Sequence, residues 1–230
     1  LTKDGGDNQR TVVGHAFGEP LALTVAAASW QGRLEPVDGG QVSFVGPASG
    51  VGVTPITSTT TITTGGAATV ILTANGATGS YPVQAVTTGV TEPLTYTLWN
   101  LATTTTTVTG APNNSTFGEL VTFTATITST PAGLDPSGWV TFTVDGVEDV
   151  THVQPVVDGS AILTRTDLKV GEHPVSATYS GDDAAIGSVS TVYTQTVVHA
   201  STSITVTTAP NPSTSGEDIT FTATVTTAAG

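Results

Sequence analysis

The side chains best equipped for chemistry are thinly spread along this chain. Its four histidines, His15, His152, His173 and His199, stand apart, and no two have the spacing of metal ligands. Its carboxylates gather in two short stretches: Asp145, Glu148 and Asp149 in DGVED, and Asp182 with Asp183 in GDD. Several oxygens in one turn suit a hard cation, so Ca2+ is the cofactor these positions would take. DGVED, however, lacks the alternating ligand spacing of a calcium loop. Gly146 and Gly181 also mark both stretches as ordinary turns in which Asp bonds nearby backbone. The ordinary turn is the expectation and calcium the alternative. No catalytic residue is expected: there is no G-x-S-x-G elbow, no H-E-x-x-H pair, no phosphate loop and no obvious pair of acid and base carboxylates.

Aromatic platforms come next. Trp30 sits in SWQGRLEP, off any clean alternation, with Arg33 and Glu35 close by. A Trp among polar neighbours on a loop can stack on a sugar ring. Packing between strands is the expectation for Trp30, with a glycan-binding role as the alternative. Trp99 and Trp139 fall near a junction and at a strand start, where packing at a seam or core edge is expected.

The elements that must carry these residues are strands. Val121, Phe123, Ala125 and Ile127 alternate strictly with threonines, as do Val140, Phe142 and Val144. The first hundred residues behave alike at Leu21, Leu23 and Val25 and at Tyr81, Val83 and Ala85. Period-2 alternation gives each strand one apolar and one wet face, the pattern of antiparallel sheets over a core. Gly-Gly at 39–40 and 65–66, Asn-Gly at 75–76 and Asp-Gly at 145–146 and 158–159 punctuate the runs as turns. About seven short strands per hundred residues predict an all-β chain of immunoglobulin-like β-sandwiches.

Composition agrees. Charged residues are 10% of the 230, against roughly 25% in ordinary soluble domains, and threonine, about a fifth of the chain, fills the gap. Thr suits a solvent-facing strand position without adding charge. The runs at 57–64 and 103–107 read as strand-face threonines, with O-linked sugars as the alternative. A net charge of −13 repels nucleic acid and anionic membrane, and no apolar stretch is long enough for a membrane span. With no cysteine, each domain must hold itself by its core.

A repeat sets the domain lengths. Ala102–Thr128 and Ala200–Thr226 match at 18 of 27 positions, at an offset of 98. Ninety-eight residues is one sandwich, so the expected domains are 1–101 and 102–199, with 200–230 the first two strands of a third. The junctions WNLA and VVHA hold no Gly/Ser/Pro linker, which predicts stiff connections. Leu1 falls inside an expected strand and Gly230 ends an incomplete repeat, so the reading favoured is a window on a longer array. The sharper alternative is that Ile219, Phe221 and Val225 pair with a neighbouring subunit in self-assembly.

TVTGAPNNSTFGELVTFTATIT, SGWVTFTVDG and GEHPVSATYSGDD resemble a bacterial Ig-like repeat of group 3 type, covering 102–199 and continuing in 200–230. GGDNQRTVVGHAFGEPLALTV, VSFVGPASGVGV and ANGATGSYPVQAVTTGVTEPLTYTLWN in 1–101 are similar to the invasin-like class. The resemblance implies a non-enzymatic, extracellular module of a bacterial cell-surface protein that displays, spaces or adheres. Its expected partners are neighbouring repeats of the same chain, with self-association into filaments or a surface layer, or a glycan or cell-surface ligand, as further possibilities.

Overall fold

The computed structural model describes residues 1–227, and every helix or strand in them is a strand. The first hundred residues open with β1 (Thr2–Gly5), β2 (Gln9–Val12), β3 (Leu21–Thr24), β4 (Ala26–Ala28), β5 (Leu34–Pro36) and β6 (Gln41–Val45). They continue with β7 (Val53–Thr54), β8 (Thr57–Thr61), β9 (Ala67–Val70), β10 (Thr73–Ala74), β11 (Gly79–Thr87) and β12 (Leu94–Leu101). Sheet β1-β3-β9 packs on sheet β2-β12-β11-β6-β8, while β4-β5 and β7-β10 are two-stranded ribbons. The alternation read from the sequence is the burial: Tyr81, Val83 and Ala85 face in, and Ser80, Pro82 and Gln84 face out. Phe44 and Tyr96 meet at a centroid distance of 6.1 Å in the middle, and the Tyr96 hydroxyl donates to the Ala22 carbonyl at 2.6 Å. Each fully buried side chain of this size stabilises the fold by about 2 kcal/mol.

The next strands are β13 (Thr103–Ala111), β14 (Ser115–Thr116), β15 (Val121–Thr130), β16 (Trp139–Val144) and β17 (Val147–Glu148). After them come β18 (Gln154–Pro155), β19 (Ser160–Arg165), β20 (Gly171–Tyr179), β21 (Ser188–Val189) and β22 (Tyr193–Val198). Sheet β13-β15-β19 covers sheet β14-β22-β20-β16-β17 around Phe123, Phe142 and Tyr179, a core separate from the first. Two Asp-Gly turns behave as expected. Asp145 and Gly146 have φ of 54° and 76°, and Asp158 and Gly159 have 49° and 67°, the left-handed pair that a tight hairpin requires. Asn75-Gly76 differs. Asn75 spends its side chain on the Gly50 carbonyl and the Ala77 amide, tying loops together instead of turning a hairpin.

Threonine is not confined to the wet face either. Thr106, inside the 103–107 run, is buried, and its hydroxyl is satisfied by Ser188 at 2.7 Å. The connection between the two sandwiches is a single residue, Ala102, between β12 and β13. It is fully buried, donates to the Ala184 carbonyl at 2.8 Å and accepts from the Ile186 amide at 3.0 Å. The chain then continues into β23 (Thr202–Ala209) and β24 (Thr220–Thr227), an antiparallel pair that joins no other strand among the described residues.

Candidate functional site

Trp30 occupies the turn of the β4-β5 hairpin, which is closed by the Ser29 amide on the Arg33 carbonyl at 2.7 Å. It is 92% exposed, so the expected inter-strand packing is overturned. β4 is three alanines and β5 pairs with β4 alone, so the ribbon offers the indole nothing bulky to fold against. Leu34 is exposed on the same hairpin. The base of the ribbon lines a cavity of about 570 Å³ of mixed character that also includes Val37, Gln41, Ile62, Thr87 and Val90.

Trp99 lies at the seam. Parallel pairing of β2 with β12 sets Arg10 opposite it, and the guanidinium sits 5.0 Å from the indole centroid. The same guanidinium donates to the Asp183 carboxylate at 3.0 Å, across the boundary between the two cores. Trp139, by contrast, begins β16 half exposed.

The carboxylates weighed for calcium are brought into two places, where Asp145, Asp149, Asp182 and Asp183 bond other side chains or backbone. Asp182 accepts from the amides of Ala184 and Ala185 with one oxygen and from the amide and hydroxyl of Ser137 with the other. Burial pushes its pKa up, but these four donors outweigh that and hold it below the usual value. Asp183 turns away to Arg10. Asp145, Glu148 and Asp149 line one cavity of about 840 Å³, but Arg165, Lys169 and His173 line it too. Asp149 is held low by its bond to His152 and also accepts from Thr151. Asp145 bonds His173. Among the described residues no three His, Cys, Asp or Glu side chains are grouped to hold a metal ion.

His173 is the titratable group whose role the spacing of residues concealed. Its Nδ1 lies 2.7 Å from the Asp145 carboxylate and its Nε2 2.7 Å from the Lys169 carbonyl. Both neighbours are acceptors, so the doubly protonated ring satisfies both. Burial pulls its pKa down, yet the bonds to the Lys169 carbonyl and to Asp145 prevail and raise it. Asn100 is a second concealed centre. Fully buried, it accepts from the Tyr81 hydroxyl at 2.8 Å and donates to the Gly52 and Ala77 carbonyls and to Asn75. The Tyr of G-S-Y and the closing Asn, both visible as residues, are thus one hydrogen-bonded unit.

The third-repeat residues form an open surface. Ile204, Val206, Phe221 and Val225 share one face of the β23-β24 hairpin and are exposed, with Ile219 just before β24. The opposite face carries Ser203, Thr205, Thr207, Thr220, Thr222, Thr224 and Thr226.

Fold and sites together define a tandem immunoglobulin-like sandwich protein of the all-β class. Residues 107–198 match the family model described as bacterial Ig-like domain (group 3), and the second sandwich is a domain of that family. No curated protein matches the sequence. Solved structures that align with the chain include the Clostridium thermocellum CbhA fibronectin(III)-like modules, at 18% identity and a TM-score of 0.37, covering 86% of this chain and 93% of that one. The Escherichia coli adhesin FdeC aligns at 18% identity and 0.46, over 83% of this chain and 62% of its own. Invasin, a bacterial integrin-binding protein, aligns at 20% and 0.35, over 90% of this chain and 42% of its own. The chain thus spans less than two thirds of the FdeC and invasin structures.

Proposed function

We propose that this chain is a non-enzymatic, extracellular spacer segment of a bacterial surface protein, a stiff stack of sandwiches that holds another part of the molecule away from the cell. The observation that carries this reading is the junction. One buried residue, Ala102, links β12 to β13, and its backbone is bonded on both sides to the 184–186 loop. A one-residue connection leaves no flexible linker to bend. The Arg10 guanidinium, stacked on Trp99 and paired with Asp183, adds a side-chain clasp over the seam. The surface pair is worth little in stability, about 0.5 kcal/mol, so its contribution is to orientation. Residual dipolar couplings measured on each sandwich test the reading. One shared alignment tensor is expected in the parent chain, with divergence in Arg10→Ala; independent tensors in the parent chain would sink it.

A second reading, adhesion to a glycan, is favoured by the exposure of Trp30. An indole at a hairpin tip, with Arg33 and Glu35 on the same ribbon, offers a stacking face and polar edges to a sugar. Under this reading Trp30→Ala abolishes binding on a glycan array while leaving the melting temperature unchanged. An array with no signal for the parent chain removes it.

A further inference from the structure

On one flank the first sandwich ends in a strand whose outer edge has no partner. Sheet β2-β12-β11-β6-β8 terminates at β8, the run Thr57-Ser58-Thr59-Thr60-Thr61. Two flanking bonds settle which backbone groups face inward. The Gly46 amide donates to the Ile56 carbonyl at 2.7 Å, and the Ile62 amide to the Gly40 carbonyl at 3.2 Å. Antiparallel ladders alternate, so the backbone of Ser58 and Thr60 also turns toward β6. The amides and carbonyls of Thr57, Thr59 and Thr61 then point to the free edge, and all three side chains are exposed. Successive sandwiches meet at strand ends, as β12 and β13 do through Ala102. The β8 edge runs along the side, where lengthening the array at either end does not cover it.

Proteins usually guard such edges with charge against edge-to-edge pairing. Four other edge strands follow that rule, with Lys3 and Asp4 on β1, Arg10 on β2, Glu148 on β17 and Arg165 on β19. β8 does not. Residues 39–91 hold no Asp, Glu, Lys, Arg or His, although the chain carries a net charge of −13. The strand also contains no proline. Asp38, held by the Gly65 amide at 2.8 Å, lies beyond its C-terminal end.

We propose that β8 is a self-recognition edge, on which a second copy of this chain docks its own β8 antiparallel and joins two five-stranded sheets into one. Two features select a second copy. Pairing about Thr59 is self-complementary: Thr59 meets Thr59, Thr57 meets Thr61, and every outward amide finds an outward carbonyl. Cross-strand Thr pairs of this kind are favourable. The flank also lets two strongly acidic molecules meet without bringing carboxylates together, because antiparallel pairing sets the two Asp38 side chains at opposite ends. A cationic partner would find no carboxylate along the strand. The edge is only about 17 Å long, too small for the roughly 800 Å² per partner of stable interfaces. Each contact is therefore weak and gains strength where many copies are arrayed together. Antiparallel edges point the two chains in opposite directions, as molecules projecting from facing surfaces would meet. That consequence alone rests on the spacer reading.

A chain without cysteine allows the edge to be tested by cross-linking. In the antiparallel pair the two Thr59 Cα atoms stand about 5.5 Å apart, within reach of a disulfide. The full chain carrying Thr59→Cys is oxidised with glutathione disulfide and compared with Thr126→Cys, on the exposed face of β15. Thr59→Cys should dimerise about tenfold faster, because pairing raises the local thiol concentration. Thr57→Cys and Thr61→Cys should each be as slow as Thr126→Cys, while their mixture cross-links as Thr59→Cys does. Adding Thr57→Lys and Thr61→Lys to Thr59→Cys should remove its advantage and leave the melting temperature unchanged. Equal rates for Thr59→Cys and Thr126→Cys overturn the proposal. So does fast dimerisation of Thr57→Cys alone, which would mean parallel or shifted pairing. Either failure leaves the dipolar-coupling test of the spacer reading unaffected.

Discussion

Phe123 and Phe221 occupy the same place in the same hairpin, 98 residues apart, and one is fully buried while the other is 70% exposed. Strand pairing, turn and alternation are alike in the two copies. What differs is the second layer. In 103–130 the apolar face meets β16, β20 and β22, and the far edge meets β19. In 202–227 neither is present among the described residues. A two-stranded ribbon alone is marginal in water, so the comparison separates what a hairpin's own sequence supplies from what its partner sheet supplies. The alternation decides which face is apolar, and only the opposing layer turns that face into a core.

The largest effect that can break this comparison is truncation of the two phenylalanines. Phe123→Ala should destabilise the second sandwich by about 3–5 kcal/mol, the usual loss for a buried aromatic. Phe221→Ala should change the same urea transition by no more than about 0.5 kcal/mol. Equal losses would show that the third hairpin has a cover in solution.

Next comes the exchange of the one residue at which the copies conflict. Gly110→Thr installs the third repeat's side chain against Gln195, Tyr193 and Phe123, and overpacking of this kind costs about 1–3 kcal/mol. Thr208→Gly, in an open hairpin, should leave the urea midpoint where it was. A neutral Gly110→Thr would mean that the β22 side chains give way.

The smallest effect sharpens the comparison through pH. His173 belongs to β20, part of the layer that the third hairpin lacks, and it faces Asp145, the Lys169 carbonyl and the charge of Arg165. Its pKa is raised in the fold above the ordinary 6.5. The stabilisation it provides is therefore complete below about 6.5 and is lost as pH rises through the higher folded value. Thermal melts of the second sandwich should weaken across that window, and His173→Gln should flatten the slope. Amide exchange in 202–227 should show no inflection there beyond the intrinsic rate change; an inflection would mean that the hairpin is coupled to this layer.

Much of the fold was legible residue by residue. The alternation at 121–127 and 81–85 is the burial pattern, and the Asp-Gly turns at 145 and 158 are where the chain reverses. Asn75-Gly76 misled because a side chain able to bond Gly50, Ala77 and the β12 residue Asn100 outweighs the turn preference of its dipeptide. Trp30 misled for the opposite reason: an indole is expected inside, and nothing local says that its ribbon pairs only with itself. The Arg10–Trp99–Asp183 clasp and the bond of His173 to Asp145 had no local signal at all. Their members lie 89, 173 and 28 residues apart, distances that only strand order across the sheets brings to contact.

The sequence by itself determined the all-β class, the 98-residue unit and the faces of the strands, because period-2 alternation and turn residues act over a few neighbours. It also determined that Asp145-Gly146 is a turn. The tertiary structure decided which carboxylates are held by donors, which indole stands in solvent, how two sandwiches are joined through one alanine, and which of two similarly paired hairpins is covered. Those outcomes depend on which strands lie opposite one another. That is a property of the packed layers, and no short stretch of residues encodes it.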